Sequence, residues 1–146
     1  MSDEIKKGLL GIVVDETEVS KVMPEINSLT YRGYAAQDLC AKCKFEEGAY
    51  LILNGELPNK NQLKKFEKEE KKERKLSKTL IQDIKKFPKN AHPMDVLRTG
   101  CSMLGNLEME TSFDQQQDVT DRMLACFPSI ICYWYRFSHD GVRVDV

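Results

Sequence analysis

Asp118-Val119-Thr120-Asp121-Arg122-Met123-Leu124-Ala125-Cys126-Phe127-Pro128-Ser129-Ile130-Ile131-Cys132-Tyr133-Trp134-Tyr135-Arg136-Phe137-Ser138 is the stretch that decides the fold. It begins polar and turns almost wholly apolar from Met123 onward. Wound at 3.6 residues per turn, those apolar residues cover every side, and a helix of that kind is buried among other helices. Pro128 has no amide donor and is expected to bend or kink it. The chain is therefore read as mainly α.

Working back toward the amino terminus, other segments carry the same periodicity. His92-Pro93-Met94-Asp95 opens a helix, where proline at a first turn is well tolerated. That helix presents Met94, Leu97 and Leu104 at helical spacing, with the small residues Gly100, Cys101, Ser102 and Gly105 beside them. Glycine in a helix interior costs roughly 1 kcal/mol against alanine, so two of them imply a packing reason. A close helix–helix contact is that reason, either within the chain or across a dimer. Ser77 to Phe87 forms another helix, with Ser77 as N-cap and Leu80, Ile81, Ile84 and Phe87 on one stripe. Phe45 to Asn54 is a helix stopped at Gly55, and Asp38 to Cys43 is a short one.

Residues 60–78 carry nine Lys or Arg and four Glu, a local net charge of +5. The run is either an anion-binding patch or a solvated helix face. Opposite charges four apart, such as Glu67 with Lys71 and Glu70 with Arg74, favour the solvated face. Before Ala35 the pattern is not helical. Ile12-Val13-Val14 with Thr17-Glu18-Val19, and Ser28 to Tyr34, read as two extended segments around the turn-forming Met23 to Ser28. The expected organisation is an extended arm over residues 1–34, either a small antiparallel ribbon or an irregular extended stretch packed on something larger, followed by a helical part over 35–146.

Composition narrows the function classes. The chain has 146 residues, 41% apolar and 31% charged, with net charge −1. That balance argues against a protein built mainly to bind nucleic acid or an anionic membrane. No apolar run approaches the roughly 20 residues of a membrane helix. The start, Met1 to Lys7, is too short and too acidic for a signal peptide, so a cytoplasmic location is expected. Five cysteines, an odd count, fit a reduced interior. Cys40 and Cys43 form a C-x-x-C, a spacing that suits zinc or a redox pair, but a structural zinc site needs four ligands and the sequence has no second such pair. Two small apolar helix positions are the preferred reading. No metal site is assigned.

Five blocks then read together. Gly8 to Thr17 (G-L-L-G-I-V-V-D-E-T), Ser28 to Tyr34 (S-L-T-Y-R-G-Y), Phe45 to Pro58 (F-E-E-G-A-Y-L-I-L-N-G-E-L-P), His92 to Gly100 (H-P-M-D-V-L-R-T-G) and Tyr133 to Gly141 (Y-W-Y-R-F-S-H-D-G) occur in this order. They resemble the amino-terminal third of the citrate synthase family. The last block, with Ser20 to Glu25, resembles the 2-methylcitrate synthase branch. Gly48 stands where the family usually has valine, and Asn54 also departs from the branch.

The resemblance implies a multi-helical large-domain portion and an acyltransferase that joins propionyl-CoA or acetyl-CoA to oxaloacetate. The product is 2-methylcitrate or citrate, within propionate metabolism or the tricarboxylic acid cycle. In such an enzyme an aspartate takes a proton beside the thioester, and two histidines stabilise the enolate and polarise the ketone. The coenzyme A thioester is a substrate, and no cofactor is expected. The family's catalytic residues are expected downstream of Val146, so no catalytic residue is assigned and this chain alone is expected to be inactive. His92 is read as a cap and His139 as a partner for helix-end carbonyls. Lys7 and Arg32 are the candidates for substrate or coenzyme A contact, with a solvated tail and a structural ion pair as their respective alternatives. Met94, Leu97, Gly100, Cys101 and Gly105 are the candidate homodimer surface. Two rival readings stand beside this one: a non-catalytic helical interaction module of the same family, and a nucleic-acid binder built on residues 60–78.

Overall fold

In the computed structural model the described residues are Gly8 and 11–144. They form two compact units, divided between Leu63 and Lys64. Helices dominate, as the periodicity predicts.

The first unit opens with a three-stranded antiparallel sheet in the order β1 (Ser20–Met23), β2 (Ser28–Tyr31), β3 (Tyr34–Ala35). Ser20 pairs with Tyr31 and Met23 with Ser28, around a 3-10 turn at Pro24–Ile26. β2 and β3 are joined by only two residues, Arg32 at φ 48° and Gly33 at φ 88°. Both central residues lie at positive φ, the geometry of a type I′ hairpin turn, whose twist matches that of the strands. The sequence reading put the first extended segment at Ile12–Val14 with Thr17–Val19, just before β1. Those residues belong to no strand, and pairing begins at Ser20 instead. β-branched residues form a strand only where a partner is in register.

Helix α1 (Ala36–Lys42) lies against β2 and β3, and Ser28 Oγ is 3.3 Å from Gln37 Oε1. Helix α2 spans Phe45–Asn54. Its start is capped by Glu47, whose Oε2 accepts from the Lys44 N–H at 2.8 Å. It stops at Gly55, which at φ 87° returns its N–H to the Leu51 carbonyl at 2.8 Å.

Helix α3 (Lys60–Glu73) is started by Asn59, whose Oδ1 accepts from the N–H of Asn61 and of Gln62, while Gln62 Oε1 accepts from the Asn59 N–H. The expected solvated face is present on this helix, with Glu70 as its buried exception. Lys64, Lys68, Lys71 and Lys72 are exposed along one side, whereas Glu70 is only 7% exposed and sits 3.3 Å from Arg74.

In the second unit α4 (Lys78–Ile84), α5 (Pro93–Leu107) and α6 (Gln116–Asp140) make the core. Ser77 Oγ accepts from the Leu80 N–H at 3.2 Å, the N-cap expected of it. Leu76, Leu80, Ile84, Val96, Leu104, Cys126, Ile130, Tyr133 and Trp134 bury together. Each large side chain so buried is worth about 1.5–3 kcal/mol. The Trp134 indole N–H also finds an acceptor, the Pro88 carbonyl at 3.3 Å.

Helix α6 runs unbroken through Pro128, which faces solvent. It departs from expectation in its burial, which is on one side only: Cys132 and Tyr135 are exposed while Ala125, Cys126 and Ile130 are not.

Candidate functional site

A cleft of about 440 Å³ opens in the second unit where the end of α5, the following loop and the first turns of α6 converge. Cys101, Leu104 and Gly105 reach it from α5, and Val119, Arg122 and Met123 from α6. Arg122 organises it. Its Nε and Nη2 meet the two carboxylate oxygens of Glu108 at 2.8 and 2.7 Å, a bidentate fork. Its Nη1 donates to the Glu73 carbonyl and, at 3.0 Å, to the Lys75 carbonyl. These carbonyls lie at and just beyond the end of α3, where the backbone lacks intrahelical donors. The Cys126 thiol, one turn after Arg122, donates to the same Glu73 carbonyl at 3.4 Å.

The electrostatics follow from this packing. Hydrogen bonding from Arg122 holds the Glu108 carboxyl below its ordinary range, and the same bond raises Arg122. Burial pushes the Cys126 thiol up to about 11. A neighbouring cleft of about 280 Å³ is lined by Glu69, Glu70, Glu73, Asp118 and Asp121. Burial there raises Asp121, with Asp118 and Glu69 adding to the effect and the Gln117 hydrogen bond opposing it.

Arg122 was missed by the sequence reading. Its signal was its place in line with Cys126, Ile130 and Tyr133 on the buried side of α6, where a cation must find partners.

The candidate residues do not form one site. Lys7 lies outside the described residues. Arg32 holds the hairpin turn: its Nη2 donates to the Ile52 carbonyl at 3.2 Å and its Nη1 is 3.6 Å from Glu18. Its Nε is buried without an acceptor. Of the five residues on α5, Cys101 and Gly105 share the larger cleft. Gly100 is buried, and a Cβ there would stand 2.7 Å from Ile130 Cγ2, so this glycine serves the α5–α6 contact within the chain. Leu97 packs against the core, and Met94 is 63% exposed. Gly105 has open space around its Cα.

Both histidines are structurally engaged. His92 Nδ1 accepts from the Met94 N–H at 3.2 Å, the capping role expected. His139 stacks on Tyr135 with ring centroids 3.9 Å apart, and its Nδ1 is 3.3 Å from the Tyr135 carbonyl. Cys40 is exposed and Cys43 half-buried, so Cys40 is not the apolar packing position expected of it. Among the described residues, no group of three or more His, Cys, Asp or Glu is placed to hold a metal ion, and no helix is long and apolar enough to cross a membrane.

Comparison with known proteins places this arrangement. The family described as "Citrate synthase, C-terminal domain" matches residues 8–146. The 2-methylcitrate synthase of Shewanella oneidensis is 55% identical over 148 residues, covering 99% of this chain and 40% of that protein. The 2-methylcitrate synthase of Mycobacterium tuberculosis is 45% identical over 129 residues, covering 88% of this chain and 33% of that protein. Among solved structures, citrate synthase from Thermotoga maritima superposes with a TM-score of 0.85 at 30% identity, over 98% of this chain and 37% of that one. The chain thus spans about a third to two fifths of the length of these relatives.

Proposed function

The chain belongs to the citrate synthase family, and from that premise we propose that it forms the amino-terminal helical part of a 2-methylcitrate synthase. The complete enzyme would condense propionyl-CoA with oxaloacetate, releasing coenzyme A. The observation that carries this reading is the 55% identity, over 99% of the chain, to the Shewanella oneidensis enzyme of that name.

Within that reading the described residues are scaffold. His92 is committed to a helix cap and His139 to a helix end, so neither imidazole is offered as an acid or base. The proton transfers would fall to groups supplied by the rest of the enzyme. The exposed Met94 edge of α5 is the part of the candidate surface best placed to meet a second copy, whereas Gly100 is used internally.

The test is thiol release on mixing oxaloacetate with propionyl-CoA or acetyl-CoA, using the complete protein that contains this chain and, separately, the 146-residue chain. Propionyl-CoA turnover favoured by the complete protein, with none by the chain alone, is expected. A preference for acetyl-CoA would make the whole a citrate synthase instead. Turnover by the chain alone would overturn the scaffold assignment.

A further inference from the structure

The cysteines of this chain sort into distinct environments. Cys126 is buried in the core of the second unit, and Cys101 is half-buried on its larger cleft. Cys40 and Cys43 stand together in the first unit, on the last turn of α1, and neither is buried. Cys40 lies inside the helix with its side chain exposed. Cys43 is the residue on which the helix ends, with its backbone already extended at φ −110° and ψ 150°.

We propose that Cys40 and Cys43 form a reversible intramolecular disulfide that closes the end of α1, with a small disulfide such as oxidised glutathione as the oxidant. Helical rise and radius put residues three apart at a Cα separation of about 5 Å. A disulfide accepts Cα separations of roughly 4.4–6.8 Å. Their Cβ atoms, about 5–6 Å apart on a regular helix, must come to roughly 3.5–4.5 Å. That adjustment falls on Cys43, which has left the helix and is held to it by its N–H on the Leu39 carbonyl at 2.9 Å. The chain beyond it leads directly through Lys44 into α2, so the bridge would pin the junction of the two helices.

The chemistry balances without other groups. One thiolate attacks oxidised glutathione, forming a mixed disulfide and releasing one glutathione thiolate. The second cysteine thiolate displaces the other glutathione. Two protein thiols are thereby oxidised, one glutathione disulfide is reduced to two thiols, and two protons pass to solvent and the departing thiolates. Because the bridge is exposed and closes against helical geometry, it belongs to the easily reduced class.

The test treats the 146-residue chain with oxidised glutathione, quenches by alkylation and maps the cysteines by mass spectrometry. The expected result is one bridge between Cys40 and Cys43, reversed by excess reduced glutathione, with Cys126 alkylated only after denaturation. Cys126 protection reports in the same sample that the core is folded. C40S and C43S should each abolish the bridge and leave a glutathione adduct on the remaining thiol, while C132S leaves the bridge intact. Persisting adducts on both Cys40 and Cys43, no reaction at either, or a bridge that uses Cys101, Cys126 or Cys132 would overturn the proposal.

Discussion

Arg122 and Glu108 face each other fork to fork, with both carboxylate oxygens engaged, across 14 residues of sequence. The pair joins the end of α5 to the start of α6, and the same guanidinium closes the end of α3. Three helix ends therefore depend on one side chain that is 16% exposed.

Arg122→Ala should be among the most damaging single changes in the second unit. It strips the partners from the Glu73 and Lys75 carbonyls and from Glu108 together, a loss of about 2–4 kcal/mol. Glu108→Gln should cost less, about 1 kcal/mol, since Glu108 is itself partly exposed and its pair is screened. Arg122→Lys should not recover the loss, because an ammonium cannot fork. Denaturant midpoints of the three variants check the order.

Two carboxyls in adjoining clefts should give acid responses of opposite sign. Glu108 is held below its ordinary value of 4.5 by Arg122, so folding favours its charge. Its contribution is complete above about pH 4.5 and is lost as pH falls through the lowered value. Asp121 is raised above 3.8 by burial, so folding disfavours its charge. Its penalty is present at neutral pH and vanishes as pH falls below about 3.8. Glu108→Gln should flatten the acid limb of a stability–pH curve, while Asp121→Asn should raise the neutral plateau. Thermal melts from pH 3 to 8 resolve the two.

Gly100→Ala should destabilise although alanine is the better helix former. Its Cβ would press on Ile130 Cγ2, and overpacking costs typically about 1–3 kcal/mol against a propensity gain of about 1. Ile130→Leu, which moves the branch one carbon outward, should rescue Gly100→Ala in a double-mutant cycle. Additive losses would show that the contact is not the cause.

Gly105→Ala separates two roles for the same helix. With open space at its Cα, the isolated chain should gain roughly 0.5–1 kcal/mol. If this edge meets a second copy in the complete enzyme, the same change should weaken association. Sedimentation of the complete protein, beside a melt of the chain, reads both effects.

Much of this fold was legible because its signals are local. Phe45 to Asn54 with its Gly55 stop, the Ser77 cap and the His92-Pro93 start each depend on residues within a turn of one another, and each stands where the pattern put it. The first strand begins just past Thr17–Val19, because β-branched Ile12–Val14 has the propensity but Ser20–Met23 has the partner. At the Arg122 site the buried position of the cation had a signal but its partners had none, since the acceptors Glu73 and Lys75 lie 49 and 47 residues away and are backbone carbonyls. Small residues on α5 signalled close approach correctly at Gly100. Spacing alone does not say which neighbour a glycine admits.

The outward lysines of α3, set against a buried Glu70, have a practical corollary. Net charge −1 would lead a chromatographer to expect weak retention on a cation exchanger near neutral pH. A resin bead meets side chains, not sums. Lys64, Lys68, Lys71 and Lys72 stand outward and Glu70 is buried, while the half-exposed Glu69 and Glu73 line a cleft shared with Asp118 and Asp121. Sulfonate beads should therefore hold this nearly neutral chain until salt of a Debye length shorter than the lysine spacing, about 5–6 Å on a helix face, lets it go.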